Sequence, residues 1–152
     1  MTIANLRSGL SIAALSALGL IALAPAAALA DAITVVERAT SDVVLDTGDK
    51  GDSAGDILTY ANKVYDEANQ NETGSDNGWC VRTVKGVAWE CNATVSLAGG
   101  QLTVEGPFID GKDSVWSVTG GTGKYASARG EMQLHARNPE GSEFDFKFNL
   151  AP

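Results

Sequence analysis

The chain has 152 residues, with 19 acidic side chains against 11 basic ones and a net charge of −8. That length supports one domain with a real core, and the negative balance argues against a nucleic-acid or anionic-membrane partner. Apolar residues make up 44% and aromatics 7%, too much for a disordered chain.

Residues 1–30 are a different material from the rest. Arg7 is the only charged side chain there, and an apolar run covers Leu10 to Ala24. Pro25 and Ala28-Leu29-Ala30 then give the helix break and small-residue pattern of a signal-peptidase site. A cleaved signal peptide over 1–30 is expected, leaving one domain over 31–152. The competing reading is an uncleaved anchor, since Leu10 to Ala30 could just span a bilayer. Cleavage removes Arg7 and leaves 10 basic against 19 acidic side chains, a net charge of −9. No second apolar run follows, so the mature protein is expected to be soluble and exported, secreted or periplasmic. Cys80 and Cys91 are an even count in an exported protein, which makes a disulfide the default.

Alternation of apolar and polar residues, cut by Gly, Asn, Asp and Pro, then marks strands in chain order. They are Ile33–Thr40, Asp56–Tyr65, Trp79–Val84, Val87–Leu97, Gln101–Phe108, Ser114–Thr119, Gly130–Arg137 and Glu143–Leu150. The last is the cleanest, with Phe144, Phe146, Phe148 and Leu150 on one face and charged or amide residues on the other. Tyr60–Asn69 imitates a helix, but no segment longer than a turn or two carries helical periodicity. Gly120-Gly121-Thr122-Gly123-Lys124-Tyr125 forms a glycine-rich corner between two strands. Eight strands of this kind close into an all-β, antiparallel, calycin-like barrel with room for one small ligand. A β-sandwich is the alternative fold.

A turn centred on Lys85-Gly86 pairs Val84 with Val87, Arg82 with Trp89 and Cys80 with Cys91, each pair sharing one face. A bridge between the cysteines closes a short loop and adds roughly 3 kcal/mol on the chain-entropy model. A strict two-residue turn makes this a hydrogen-bonded pair, a poor disulfide site, so a four-residue loop is preferred. Arg82 lies against Trp89, where a desolvated guanidinium on an indole gains ~1–2 kcal/mol.

Four motif matches lose to plainer readings. Gly51-Asp52-Ser53-Ala54-Gly55 fits G-x-S-x-G, but it lies in an acidic loop before a strand and lacks a positioned histidine. Gly121-Thr122-Gly123-Lys124-Tyr125-Ala126 fits a dinucleotide fingerprint without the long helix that must follow. Asp46, Asp49, Asp52 and Asp56 do not have EF-hand spacing and read as a solvated connector. The single histidine, His135, has no neighbouring thiolate or second histidine for zinc. No metal or cofactor is expected. Asn71-Glu72-Thr73 and Asn92-Ala93-Thr94 are glycosylation sequons, relevant only in a eukaryotic source.

Val104-Glu105-Gly106-Pro107-Phe108, Val118 to Tyr125 (VTGGTGKY) and Ala128-Arg129-Gly130-Glu131 resemble the barrel shared by allene oxide cyclases and dirigent proteins. The resemblance is most specific over Gly55 to Leu150. It implies an eight-stranded barrel, a homotrimer, and a lipophilic, unsaturated or phenolic ligand in the bore. Residue by residue, Glu37 matches the cyclases' strand-one glutamate, which offsets developing cationic charge. Tyr60 and Asn62, in GDILTYANKVY, match an aromatic and a water-holding asparagine. Cys80, Trp89 and Phe108 match a cysteine, a phenylalanine and a tyrosine of the bore. On the dirigent side, Arg129 matches an arginine that polarises a quinone methide. The sequence departs from the cyclases at Ala39, where they carry a second asparagine, at Phe108, which lacks the tyrosine hydroxyl, and in having no Ser-Pro pair after strand one.

Glu37, Asn62 and Arg82 are therefore the candidate catalytic residues, and Tyr60, Trp89, Phe108 and Arg129 the candidate ligand contacts. Glu37 is expected to be the carboxylate that pairs with Arg82. Three functions compete: a cyclising isomerase, a dirigent-like guide for intermediates made elsewhere, and a non-catalytic lipophile carrier. A buried, ionised Glu37 with Arg82 nearby favours the first two, because charge in an apolar bore is costly unless used or paired, and an all-apolar bore favours the third.

Overall fold

The computed structural model describes residues 32–151; the proposed signal peptide lies outside them. Nine strands form one sheet: β1 (Ala32–Arg38), β2 (Val43–Leu45), β3 (Ile57–Asp66), β4 (Glu72–Val84), β5 (Ala88–Leu97), β6 (Gly100–Ile109), β7 (Ser114–Gly121), β8 (Gly130–Ala136) and β9 (Glu143–Leu150). Neighbours run β1-β9-β8-β7-β6-β5-β4-β3, and β1 pairs back onto β3 through Val35–Arg38 against Asp66–Lys63. The result is a closed, eight-stranded antiparallel barrel, as the alternation implied. The extra strand, β2, is short and pairs with the start of β3, Val43 opposite Thr59.

Inward side chains follow the two-residue period of each strand. On β9, Phe144, Phe146, Phe148 and Leu150 are all buried. One end of the barrel carries the β3–β4 and β5–β6 turns and the β7–β8 connection. There a single 3-10 turn, Gly123–Tyr125, folds Tyr125 into a core with Leu102, Val95, Met132 and Phe148. Gly123 has φ +59°, and its Cα lies so close to the Gly99 carbonyl that a Cβ would collide with it. That is why this corner is glycine-rich. The other end carries the β4–β5, β6–β7 and β8–β9 turns and the long β1–β3 connection that contains β2.

The β4–β5 hairpin pairs Cys80 with Cys91 and Arg82 with Trp89 as expected. The two cysteines are disulfide-bonded, with Cα atoms 4.0 Å apart, the close spacing of a non-hydrogen-bonded pair. The loop differs from expectation: Val84 pairs with Ala88, and an irregularity at Thr83 absorbs the extra residue. Gly86, at φ +64°, supplies the left-handed corner, and its N–H donates to Asp52 Oδ2 at 2.7 Å.

The largest difference is β4, which starts at Glu72 rather than Trp79. Gly74-Ser75-Asp76-Asn77-Gly78 has a turn's composition, yet its glycines serve close packing. A Cβ on Gly74 would strike the Ser96 carbonyl, and one on Gly78 would strike the Tyr60 phenol.

Candidate functional site

The barrel encloses a cavity of about 210 Å³ toward the end that carries the long connection. β3 contributes Leu58 and Tyr60, β6 Phe108, β7 Trp116, and β9 Phe144 and Phe146, with the Cys80–Cys91 bridge in the wall. Phe108 and Phe144 meet edge to face at 6.0 Å, and Trp116 Nε1 donates to the Pro107 carbonyl at 2.8 Å. The rings are thus held in fixed positions. Asp42 and Gly141, from the β1–β2 and β8–β9 connections, also line the cavity. An outer hollow of about 380 Å³ shares Phe108, Gly141 and Phe144 with it and is rimmed by Lys112, Arg137 and His135. His135 lies 2.7 Å from Asp113 Oδ1, and no metal-ligand cluster occurs among the described residues.

Against these rings stands a group of acids. Glu37 points inward from β1 and is 5% exposed; Asn62 on β3 is 2% exposed and Asp76 on β4 fully buried. Asn62 is a clasp. Its Nδ2 donates to Glu37 Oε1 and to Asp42 Oδ1, both at 2.8 Å. Its Oδ1 accepts the backbone N–H groups of Thr40 and Ser41, both at 3.0 Å. These bonds turn the chain out of β1 and into β2, and they use both amide hydrogens. No N–H is left for a water on a ligand.

Burial pushes the Glu37 carboxyl up from 4.5 to about 7, helped by the Asp42 charge and opposed by the Asn62 hydrogen bond. Burial likewise raises Asp76 well above the usual carboxylate range, and the Glu37 charge adds to it. Tyr60 is pushed up by burial and then by Asp76, Glu37 and Asp42, so its phenol keeps its proton. The Tyr60 ring can lie there because its cross-strand partner is Gly78.

Arg82 and Trp89 stack as expected, with the guanidinium carbon 4.1 Å from the ring centroid. Arg82 does not pair with Glu37. Its Nη1 donates to Asp110 Oδ2 at 2.6 Å, and its Nε lies 2.7 Å from Asp52 Oδ1, out of line for a hydrogen bond. Loop carboxylates at the barrel end reach it first, and neither Arg82 nor Trp89 lines the cavity. The acidic loop is thus solvated at Asp46 and Asp49, as expected, and tied down at Asp52 and Asp56. Asp56 accepts the N–H groups of Ser53 and Thr47, which hold its carboxyl below the usual range. Ser53 in turn donates to Asp56 instead of facing a base. Arg129 is exposed at the opposite end, bonded to the Ala128 carbonyl. The sequence reading missed Asp76. Counting back in twos from Cys80 reaches it, but the turn-like glycines on either side stopped the strand short.

Residues 32–138 match the family model of allene oxide cyclases. The chain belongs to the allene oxide cyclase family. Solved structures with a similar barrel include "Pyocyanin demethylase", at 21% identity over 76% of this chain and 98% of that one, TM-score 0.66. A pterocarpan synthase dirigent protein is similar at 12% identity over 90% of this chain and 94% of that one, TM-score 0.64. An exo-specific intermolecular Diels-Alderase matches at 13% identity over 81% and 98%, TM-score 0.61. At these identities the likeness establishes a shared fold. Within that fold this family member has an aromatic cavity, a carboxyl that can hold a proton at neutral pH, and no free thiol, since Cys80 is bridged.

Proposed function

We propose that the protein is an exported small-molecule barrel that steers the cyclisation or coupling of an unsaturated, lipophilic or phenolic ligand. The observation that carries this reading is Glu37: a buried carboxyl pushed up to about 7, set beside Asp42 in the wall of a mostly apolar, aromatic-rich cavity. A group poised near neutrality can donate a proton to a ligand and take one back with little driving force wasted in either direction. In its ionised form it stabilises positive charge that develops during ring closure, in surroundings too apolar to screen it. Tyr60, Phe108, Trp116 and Phe144 restrict the ligand's shape and so its stereochemistry, which is catalysis by positioning. Tyr60 supplies a phenolic donor. For an intramolecular cyclisation the chemistry is that of an isomerase and calls for no cofactor.

In this reading Asn62 is a positioning residue that aims Glu37, and Arg82 with Trp89 anchors the acidic loop at the barrel end. The disulfide fits an oxidising compartment, in line with export. A homotrimer, inferred from the family resemblance, agrees with the exposed apolar outer residues Val43, Leu45 and Trp79. Light scattering that gives a monomer mass at micromolar concentration contradicts it.

A non-catalytic lipophile carrier is the second reading, favoured by the apolar wall around the disulfide. One experiment separates the two. The protein is screened by native mass spectrometry against terpenoid, polyene and phenolic ligands, and any ligand that binds is followed for conversion. Binding with conversion lost in Glu37→Gln supports the steering role. Binding without conversion supports the carrier, and no binding to the whole panel sinks both.

A further inference from the structure

Asp76 is the residue the steering mechanism does not use, and its surroundings are unusual. It is fully buried, and among the described residues neither carboxylate oxygen has a hydrogen-bond partner, although the neighbouring Asn77 N–H tempers the rise of its carboxyl. Asn62 stands opposite Asp76 across the β3–β4 pair and donates to Glu37 Oε1 at 2.8 Å, which brings this second carboxyl up to Asp76. Two carboxylates cannot hydrogen-bond each other unless one carries a proton.

The charges around the pair do not balance. β1 contributes Glu37, the β1–β2 connection Asp42, and β3 the neutral Tyr60 and Asn62. Opposite Asp76 on β5 stands Val95, and opposite Glu37 on β9 stands Phe144. No basic side chain among the described residues lines the cavity. Arg82, the nearest inward-facing cation along β4, is held by Asp52 and Asp110. An acidic site walled by aromatic faces has the two features that attract a cation: a carboxyl that can ionise against it and ring quadrupoles.

We infer that Glu37 and Asp76 form a proton-sharing pair and that the cavity takes a planar unsaturated cation, such as an N-alkylated heteroaromatic ring, in exchange for a proton. The inference rests on the ligand-steering reading of this cavity and narrows its ligand class. When the cation enters under mildly acidic conditions, the Glu37 proton leaves to solvent and its carboxylate faces the ring. Asp76 keeps the second proton and donates it to Glu37. Asp76 is a positioning residue: it sets when Glu37 ionises without touching the ligand.

The test uses 1-methylquinolinium and its neutral isostere 1-methylnaphthalene, titrated calorimetrically into the whole domain at pH 6 and pH 8 in buffers of different ionisation heat. The cation is expected to bind up to about tenfold more tightly at pH 8 than at pH 6, releasing close to one proton at pH 6 and almost none at pH 8. The isostere is expected to bind more weakly, with no pH dependence. In Asp76→Leu the donor to the Glu37 carboxylate is lost, so the pH effect should move to higher pH while the cation still binds, whereas Asp76→Asn, which keeps a neutral donor, should leave it near wild type. A cation affinity that is independent of pH, or an Asp76→Leu variant with an unchanged profile, overturns the shared-proton pair. Binding of the isostere but not the cation overturns the ligand class and leaves the cavity reading standing. Binding of neither overturns both.

Discussion

The two ends of the barrel are built from the same strands with the same alternation, yet they hold different things. At the closed end, Val95, Leu102, Met132 and Phe148 fill the interior and Tyr125 folds in over them. At the other end the same inward positions carry Glu37, Tyr60, Phe108 and Phe144 around open space, with Asp76 fully buried behind them. Packing density explains the first set, because each side chain there has partners on all sides. It does not explain the second, where a fully buried carboxyl lacks a donor and rings enclose a void. The closed end supplies stability and the open end spends some of it on function.

Substitutions that touch one end alone sharpen this contrast. The largest effect is expected at the closed end: Phe148→Ala removes a fully buried ring and should cost about 3–5 kcal/mol in urea unfolding, with ligand binding intact wherever the protein remains folded. A Phe148→Ala variant that is as stable as wild type while losing ligand binding breaks the division of labour.

Next is the open end's acid. Glu37 ionises at about 7 when folded against 4.5 ordinarily, so between those values the native state holds a proton that the unfolded chain has released. The stability tied to this group is complete below about pH 4.5, falls as pH rises through 7 and is level above that. At roughly 1.4 kcal/mol per pH unit the loss is on the order of 3 kcal/mol. Glu37→Gln keeps the acceptor for Asn62 and removes the charge. It should unfold later than wild type at pH 8 and show a flatter stability profile between pH 5 and 7. If the variant is less stable than wild type at pH 8, burial of the charge is not what raises Glu37.

Most of the barrel was legible because alternation is a local property. β9, β5 and β6 stand close to where the apolar residues mark them, and the Cys80–Cys91 register follows from one turn. The site was less legible because its pieces are tied by contacts distant in sequence. Glu37 was found through the family resemblance, since both faces of β1 read alike: Val35 and Val36 are both buried. Asp76 lay within a stretch whose glycines look like a turn until the Tyr60 ring is seen lying on Gly78. The partners of Arg82 come from two loops whose positions no strand pattern encodes.

The smallest effect is expected at Arg129. It is exposed at the closed end and bonded to its own neighbour's carbonyl, so Arg129→Ala should change stability by less than about 0.5 kcal/mol and leave ligand affinity unaltered. A loss of binding in this variant would bring the dirigent-type arginine back into the site and blur the distinction between the ends.

The most direct test of the whole account is an NMR titration of the Glu37 side-chain carboxyl carbon in the ligand-free protein. A midpoint near 7 that moves higher in Asp76→Leu, where the donor to Glu37 is lost, is the predicted result. A midpoint in the ordinary range near 4.5 would mean that Glu37 is an ionised wall residue at neutral pH, and would contradict the proton-bearing site.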